Sequence, residues 1–157
     1  MSSNSKAAAS RRIGCLEEDV FVSLHRTADL LARSAEKVLR DQDISPNQYN
    51  VLRILRGAPE GLPCNEIARR MISRDPDITR LLDRLERRTL ISRCRETKDR
   101  RTVLTRITPE GLKLLHDLDE PVTEIHKTQL GHLGREGLRS LLDLLEKARE
   151  KAREKVE

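Results

Sequence analysis

The stretch RETKDRRTVLTRITPEG, from Arg95 to Gly111, places a short run of basic residues in front of a helix start. The segments on either side of the run, LISRCRE and TVLTRIT, are rich in β-branched residues and partly alternate in polarity, which predicts two strands of a β-hairpin. Thr108 and Pro109 are typical of the N-cap and first position of the helix that follows. Charge runs are usually solvated surface, so the segments around the hairpin decide whether this one has a function.

The residues before the hairpin predict two short helices joined by a tight turn. LPCNEIARRMI is expected to form the first, with Ile67, Ala68 and Met71 facing inward. SRDPDITRLLDRLERRTLI is expected to begin the second at once, with Asp75 as the cap and Pro76 in the first helical position. The buried stripe of this second helix is predicted to be Ile78, Leu81, Leu82 and Leu85, and its outer face to be Arg74, Thr79, Arg80, Asp83, Arg84 and Arg87. Such a pair with a basic outer face is typical of a helix-turn-helix.

Long amphipathic helices are predicted at both ends of the chain. Ser45 and Pro46 start a helix with Tyr49, Leu52 and Leu55 inward. Ahead of it, an apolar seam predicts a helix over residues 16–40; its members are Phe21, Leu24, Ala28, Leu31, Ala35 and Val38. After the hairpin, seams of the same kind comprise Leu112, Leu115, Leu118, Val122 and Ile125, and then Leu138, Leu141, Leu142, Leu145 and Ala148. Because these seams exceed what one small core needs, the sequence predicts a homodimer.

The charge of the chain is concentrated around the same stretch. Over residues 69–106 there are 13 Lys and Arg against 6 Asp and Glu, a net charge of +7, whereas the whole 157-residue chain carries +5. Apolar and charged residues each make up 36% of the chain, and Phe21 and Tyr49 are its two aromatic residues. This composition favours amphipathic helices over a β-sandwich, and the focused charge favours a localised site for a polyanion.

A helix-turn-helix followed by a hairpin with a basic tip is a winged helix, and double-stranded DNA suits its chemistry. Arginine on the second helix can read guanine in the major groove, and the tip from Lys98 to Arg101 can reach phosphate or the minor groove. The predicted DNA contacts are Ser73, Arg74, Thr79, Arg80, Arg84, Lys98, Asp99, Arg100 and Arg101. A winged helix that binds protein instead of DNA is the alternative from another class; the focus of positive charge speaks against it.

The sequence resembles the MarR family of transcription regulators in PDITRLLDRLERRTLI (Pro76–Ile91) followed by the wing stretch. The resemblance implies a mostly α fold with a small β-hairpin wing, namely a winged helix-turn-helix with N- and C-terminal dimerisation helices. Residues 1–14 would be a disordered tail and 15–157 a single domain, with the DNA-binding lobe at 43–108 and the dimerisation helices at 16–40 and 109–155. Asp99 and Arg101 would be paired wing residues.

The same resemblance implies a homodimer on a palindromic operator. It also implies a repressor that is released by small phenolic or other lipophilic molecules. Asp75 and Asp77, at the start of the recognition helix, depart from the small hydroxyl residues that are also common there.

The sequence signals for a redox-active cysteine, a metal site or an effector pocket are weaker. Cys15 could serve as an oxidation sensor, but its acidic neighbours disfavour a thiolate, and Cys64 and Cys94 are expected to be half-buried fillers. His116 and Glu120 are spaced to share a metal, yet a zinc site needs more converging ligands, so no metal or cofactor is expected. His25, beside the first apolar seam, could line an effector pocket or simply lie at its boundary.

The remaining expectations are absences. No Gly-rich phosphate loop or nucleophile arrangement predicts an enzyme. No apolar run is long enough for a membrane span, and three widely spaced cysteines without a CxxC pair fit a reducing cytoplasm. The family resemblance implies that this cytoplasm is bacterial or archaeal.

Overall fold

The computed structural model describes residues 14–95 and 102–153, which form six helices, a 3-10 turn and a small antiparallel sheet. The predicted tail before Gly14 and the last four residues lie outside this part. The elements run in the order α1 (Leu16–Asp41), α2 (Pro46–Arg56), β1 (Leu62–Pro63), α3 (Cys64–Arg70), α4 (Ile78–Arg87), β2 (Ile91–Arg95), β3 (Val103–Ile107), α5 (Pro109–Leu130), a 3-10 turn (Gly131–Leu133) and α6 (Gly134–Arg153). The predicted fold class, mostly α with a hairpin wing, is confirmed. Within the described residues no helix is long and apolar enough to cross a membrane.

Two predicted helix starts are confirmed by their caps. The Ser45 hydroxyl accepts a hydrogen bond from the backbone amide of Gln48 at 3.2 Å. In return, the side-chain oxygen of Gln48 accepts one from the backbone amide of Ser45 at 2.9 Å. These reciprocal bonds form a capping box with Pro46 in the first turn. The Thr108 side chain accepts a bond from the Gly111 amide at 3.1 Å, with Pro109 behind it. Local sequence therefore fixes where α2 and α5 begin.

The sheet has the strand order β1-β3-β2. β2 and β3 pair from Ile91 opposite Ile107 to Arg95 opposite Val103, which confirms the predicted hairpin. β1 adds two residues on the other side of β3, with Leu62 opposite Thr105. Leu62 and Pro63 were predicted to belong to the helix that follows, which is wrong; two residues are too few to show the periodicity of a strand.

The core lies beneath the sheet and between α2, α4 and α5. Leu81, Leu82 and Leu85 are buried as predicted, and Ile78 packs against them at the edge. In α3 the prediction is partly wrong: Ile67 is fully buried and Met71 packs against the core, but Ala68 is exposed. Ala68 directly follows the buried Ile67, and adjacent residues lie about 100° apart around a helix, so both cannot face the core from one short helix.

The two terminal helices keep most of their apolar side chains at the surface of the chain. Leu39 is the one buried residue of α1, and α6 contributes none to the core. Phe21 is 61% exposed and Leu142 is 55% exposed. Seams with helical periodicity thus remain uncovered within the described chain.

Candidate nucleic-acid interface

The recognition helix, α4, begins two residues later than predicted, at Ile78. Its N-cap is Asp77, whose Oδ1 accepts a hydrogen bond from the Arg80 amide at 3.2 Å. The prediction that Asp75 caps the helix with Pro76 in the first position is therefore wrong. Asp75 lies in the preceding turn, and its Oδ1 accepts a bond from the Asp77 amide at 2.9 Å. Its Oδ2 is engaged by Asn47, so both oxygens are used by the turn.

Side chains of α2 hold this turn, residues 71–77, in place. The Asn47 amide nitrogen donates to Asp75 at 2.9 Å, and the Asn47 carbonyl oxygen accepts from the Ser73 hydroxyl at 3.0 Å. One helical turn further on, Asn50 accepts from the Ile72 amide at 2.8 Å. The bonds from the Asp77 amide and from Asn47 lower the pKa of Asp75, because both donors stabilise its charged form. The turn before the recognition helix is thus fastened to α2 at three points.

The outer face of α4 is exposed and basic. Thr79, Arg80 and Arg84 are exposed as predicted, while the leucines on the opposite side are buried. The Arg80 side chain is 78% exposed, and its Nε lies 3.1 Å from Asp77 Oδ2. Ser73 and Arg74 are exposed in the turn just before the helix. The five predicted DNA-contacting residues of this region therefore lie at or beside one helix face.

An ion cluster fastens the hairpin to the recognition helix. The Arg93 guanidinium, on β2, contacts Asp83 at 2.6 Å and donates from Nε to Glu86 at 2.9 Å. The Arg93 backbone amide also donates to Glu86, at 3.1 Å. Hydrogen bonding from Arg93 lowers the pKa of Glu86, and Glu86 in turn raises that of Arg93. The orientation of the hairpin relative to α4 is therefore fixed by charge as well as by packing.

The other end of the hairpin is fixed by close packing against α5. The Thr108 hydroxyl donates to the Thr89 carbonyl at 2.6 Å. A Cβ at Gly111 would collide with the Leu90 carbonyl oxygen and lie 2.8 Å from the Ile107 side chain. Only glycine fits at this crossing, which accounts for the Thr-x-x-Gly pattern in the sequence.

Cys94 differs from its prediction. It is exposed rather than half-buried, because it points away from the core on β2. Its sulfur lies 2.9 Å from an amino group of Arg106 on β3, and the Arg106 Nε donates to the Glu60 carbonyl at 3.0 Å. Cys64 is half-buried as predicted, and Cys15 is exposed at the N-cap of α1. The predicted wing-tip contacts, Lys98, Asp99, Arg100 and Arg101, lie outside the described residues.

An ion cluster on α3 was not predicted from the sequence. Glu66 contacts Arg69 at 2.7 Å and Arg70 at 2.6 Å, and these bonds lower its pKa to about 2. The spacings i, i+3 and i, i+4 could have revealed the cluster. It sets the direction of two arginines that precede the recognition helix.

A cavity of about 180 Å³ opens between α1, α2 and α5. Ile72 brings the turn at residues 71–77 to its edge. The cavity has an apolar wall of Ala32, Ala35, Leu39, Pro46 and Val122, and a polar rim of Glu36, Tyr49, Asn50, Arg53 and His126. His25 does not line it; that ring is exposed on α1 and contacts Phe21 at 4.3 Å between ring centroids. His116 and Glu120 are exposed on α5, and among the described residues no group of three metal-binding side chains converges.

Known proteins match the chain in sequence. A sequence model described as the MarR family matches residues 44–103. The HTH-type transcriptional regulator FarR of Neisseria gonorrhoeae is 30% identical over 127 residues, which cover 80% of this chain and 86% of FarR. The match reaches well beyond the residues that form the helix-turn-helix and hairpin.

Solved structures match its fold. A MarR transcription factor from Planctomyces limnophilus is 41% identical, with a TM-score of 0.65 over 86% of this chain and 98% of that one. The S. aureus MepR–DNA complex is 25% identical, with a TM-score of 0.73 over 88% of this chain and 99% of that one. NadR in complex with 4-hydroxyphenylacetate is 27% identical, with a TM-score of 0.71 over 85% of this chain and 96% of NadR.

Proposed function

The chain belongs to the MarR family of DNA-binding transcription regulators, and from that membership we propose that it is a homodimeric, ligand-responsive repressor of a palindromic operator. Its relatives are regulators and not enzymes. The observation that carries the proposal is the exposed basic face of α4, fastened on one side to α2 and on the other to the hairpin.

Within this proposal, α4 enters the major groove. Arg80 and Arg84 read base edges there, and Thr79 contacts a thymine methyl group or a phosphate. Ser73 and Arg74, in the turn, contact the backbone beside the groove. The wing residues Lys98, Asp99, Arg100 and Arg101 reach phosphate or the adjacent minor groove, with Asp99 supporting Arg101.

The homodimer follows from the uncovered seams of α1 and α6. Phe21 and Leu142 are more than half exposed in one chain, and covering such seams with a second copy would remove them from water. Two-fold symmetry then places the two recognition helices about 34 Å apart, one turn of DNA, so the operator is a palindrome. In this division, residues 43–108 form the DNA-binding lobe, and residues 16–40 and 109–155 dimerise.

The cavity between α1, α2 and α5 is the proposed effector site. At about 180 Å³ it is comparable to the cavity of about 150 Å³ that takes up a single benzene ring. Its apolar wall and its rim of Tyr49, Arg53 and His126 suit a small aromatic molecule with a polar or acidic substituent. NadR was solved with a ligand of that class, 4-hydroxyphenylacetate.

The cavity also offers a route from effector to DNA. Asn50 and Ile72 both line it, and the bond between the Asn50 side chain and the Ile72 amide ties the turn to α2. A ligand that displaces either residue would loosen the turn that leads into α4. Effector binding and DNA binding would then oppose each other, by the same factor in both directions.

The test is to sequence the genomic DNA that the purified full chain retains. A palindromic site with half-sites one turn apart is expected, and the genes beside it would suggest candidate effectors. The double variant Arg80→Ala/Arg84→Ala is the control, because it keeps the buried face of α4 and should recover no such site. Aromatic acids that raise the melting temperature are then tested for release of that DNA. Stabilising ligands that never change DNA affinity would contradict the regulatory part of the proposal.

A further inference from the structure

Asp77 makes two contacts with the same residue. One oxygen of its carboxylate accepts the Arg80 backbone amide at 3.2 Å and so caps α4. The other oxygen lies 3.1 Å from Nε of the Arg80 side chain. Capping requires the first contact alone, and Ser, Thr or Asn would serve as well in that role. The second contact therefore needs its own explanation.

The contact with Nε determines which edge of the guanidinium remains for DNA. An arginine side chain can bind two acceptors through Nε and one amino group, or through its two terminal amino groups. The Asp77 carboxylate lies at the Nε edge of Arg80, so the two terminal amino groups are the pair left for a base. The two terminal amino groups can then reach O6 and N7 of one guanine together.

We propose that Asp77 is a specificity-determining positioning residue that holds Arg80 end-on to guanine. The proposal rests on the proposed function, in which Arg80 reads a base. The ion pair itself contributes little to stability, since both side chains are exposed and the pair is screened by water and salt. The ion pair instead restricts the orientation of the long Arg80 side chain before DNA binds, which lowers the entropy lost on binding.

The charge of Asp77 acts in the same sense. A carboxylate beside the groove repels phosphate and lowers affinity for every duplex, and only a site that offers guanine to Arg80 compensates for it. Specificity is a difference between the binding free energies of two DNA sites. A group that lowers the affinity for every duplex but supports one base contact therefore raises the ratio of operator affinity to random-duplex affinity. This explains why an acid is found where a small hydroxyl residue would cap the helix without repelling DNA.

The test compares Asp77→Asn with the parent by selecting bound sequences from a randomised operator library with the full chain. Asparagine retains the capping oxygen but lacks the negative charge that pairs with the Arg80 guanidinium. We expect an unchanged melting temperature, a several-fold loss of guanine preference at one position of each half-site, and tighter binding to random duplex. Glu110→Gln is the charge-matched control: it removes one negative charge in the first turn of α5, and it should leave the guanine preference intact.

Arg80→Ala distinguishes the inference from the function on which it rests. Loss of a bidentate guanine contact, about 1–3 kcal/mol, corresponds to about a 5- to 150-fold loss of preference at that position. If Arg80→Ala relaxes the position and Asp77→Asn does not, Asp77 only caps the helix and the inference is wrong. If Arg80→Ala changes no position, base reading by Arg80 fails and the inference fails with it. Asp77→Ser repeats the comparison with a second residue that can cap the helix. If neither Asp77→Asn nor Asp77→Ser folds, Asp77 is required for folding and the inference is wrong.

Discussion

At the scale of single residues, Thr89 adopts a backbone conformation that its side chain opposes. Its φ is 58°, in the left-handed region where a β-branched residue is an outlier. The Thr89 amide bonds to the Glu86 carbonyl at 2.8 Å and the Leu90 amide to the Leu85 carbonyl at 3.0 Å. This is the Schellman ending of a helix, and its left-handed position is usually glycine. Strain is therefore stored between the recognition helix and the hairpin.

Thr89→Gly is expected to stabilise the protein. Removing the left-handed strain gains about 1–2 kcal/mol, and the greater flexibility of glycine in the unfolded chain offsets roughly 0.5–1 kcal/mol of that gain. Thermal unfolding should therefore show a net gain in the free energy of unfolding. Thr89→Ala is the control, because it keeps a Cβ in the same conformation. Equal melting temperatures for the glycine and alanine variants would mean that the strain is absent.

At the scale of elements, the cluster of Arg93 with Asp83 and Glu86 joins the hairpin to α4. We expect Arg93→Lys to keep the charge but lose the fork that binds both acids. DNA affinity should fall because the hairpin is less firmly oriented, while the salt dependence of binding should stay nearly constant because the number of charges is the same. Arg95→Lys, on the same strand but outside the cluster, should bind DNA like the parent. A steeper or shallower salt dependence for Arg93→Lys would point to a direct phosphate contact instead.

The same cluster predicts a pH dependence. Arg93 lowers the pKa of Glu86 below its usual 4.5 in the folded chain. A carboxyl whose pKa is lower in the folded state stabilises that state above its unfolded pKa, and the contribution is lost as pH falls through the folded value. The difference in unfolding free energy between the parent and Glu86→Gln should thus be largest near neutral pH and shrink below pH 4.5. A difference that does not vary with pH would show that the ion pair contributes nothing.

Elements were predicted from sequence where their signals are local. Ser45 and Thr108 cap helices through residues three positions ahead, and the leucines of α4 are buried at helical spacing. The start of α4 was missed because Asp75 and Asp77 are both suitable caps by local sequence. Asn47, 28 positions away from Asp75, decides between them by engaging Asp75. A contact between residues so far apart in sequence leaves no local pattern from which it could be predicted. The same reason applies to the cavity, where His126 and not His25 lies on the rim.

At the scale of the whole molecule, one described chain leaves the seams of α1 and α6 uncovered. Deleting residues 134–157 removes α6, one of the proposed dimerisation helices. The truncated chain should be unfolded or aggregated, because the apolar seam of α1 would then remain exposed to water. The parent should sediment as a dimer, and its melting temperature should rise with protein concentration. A soluble, folded monomer from the truncated chain would contradict the proposed dimer.

Tyr49, on the rim of the cavity, gives the protein an optical property. The chain has one tyrosine and no tryptophan, so all of its tyrosine emission arises beside the proposed effector site. Arg53 lies over the same ring, 5.9 Å from its centroid. An aromatic molecule entering the cavity should quench that emission, and the titration would need neither a dye nor a mutation. Each copy of the protein thus has an intrinsic fluorophore at the proposed effector site.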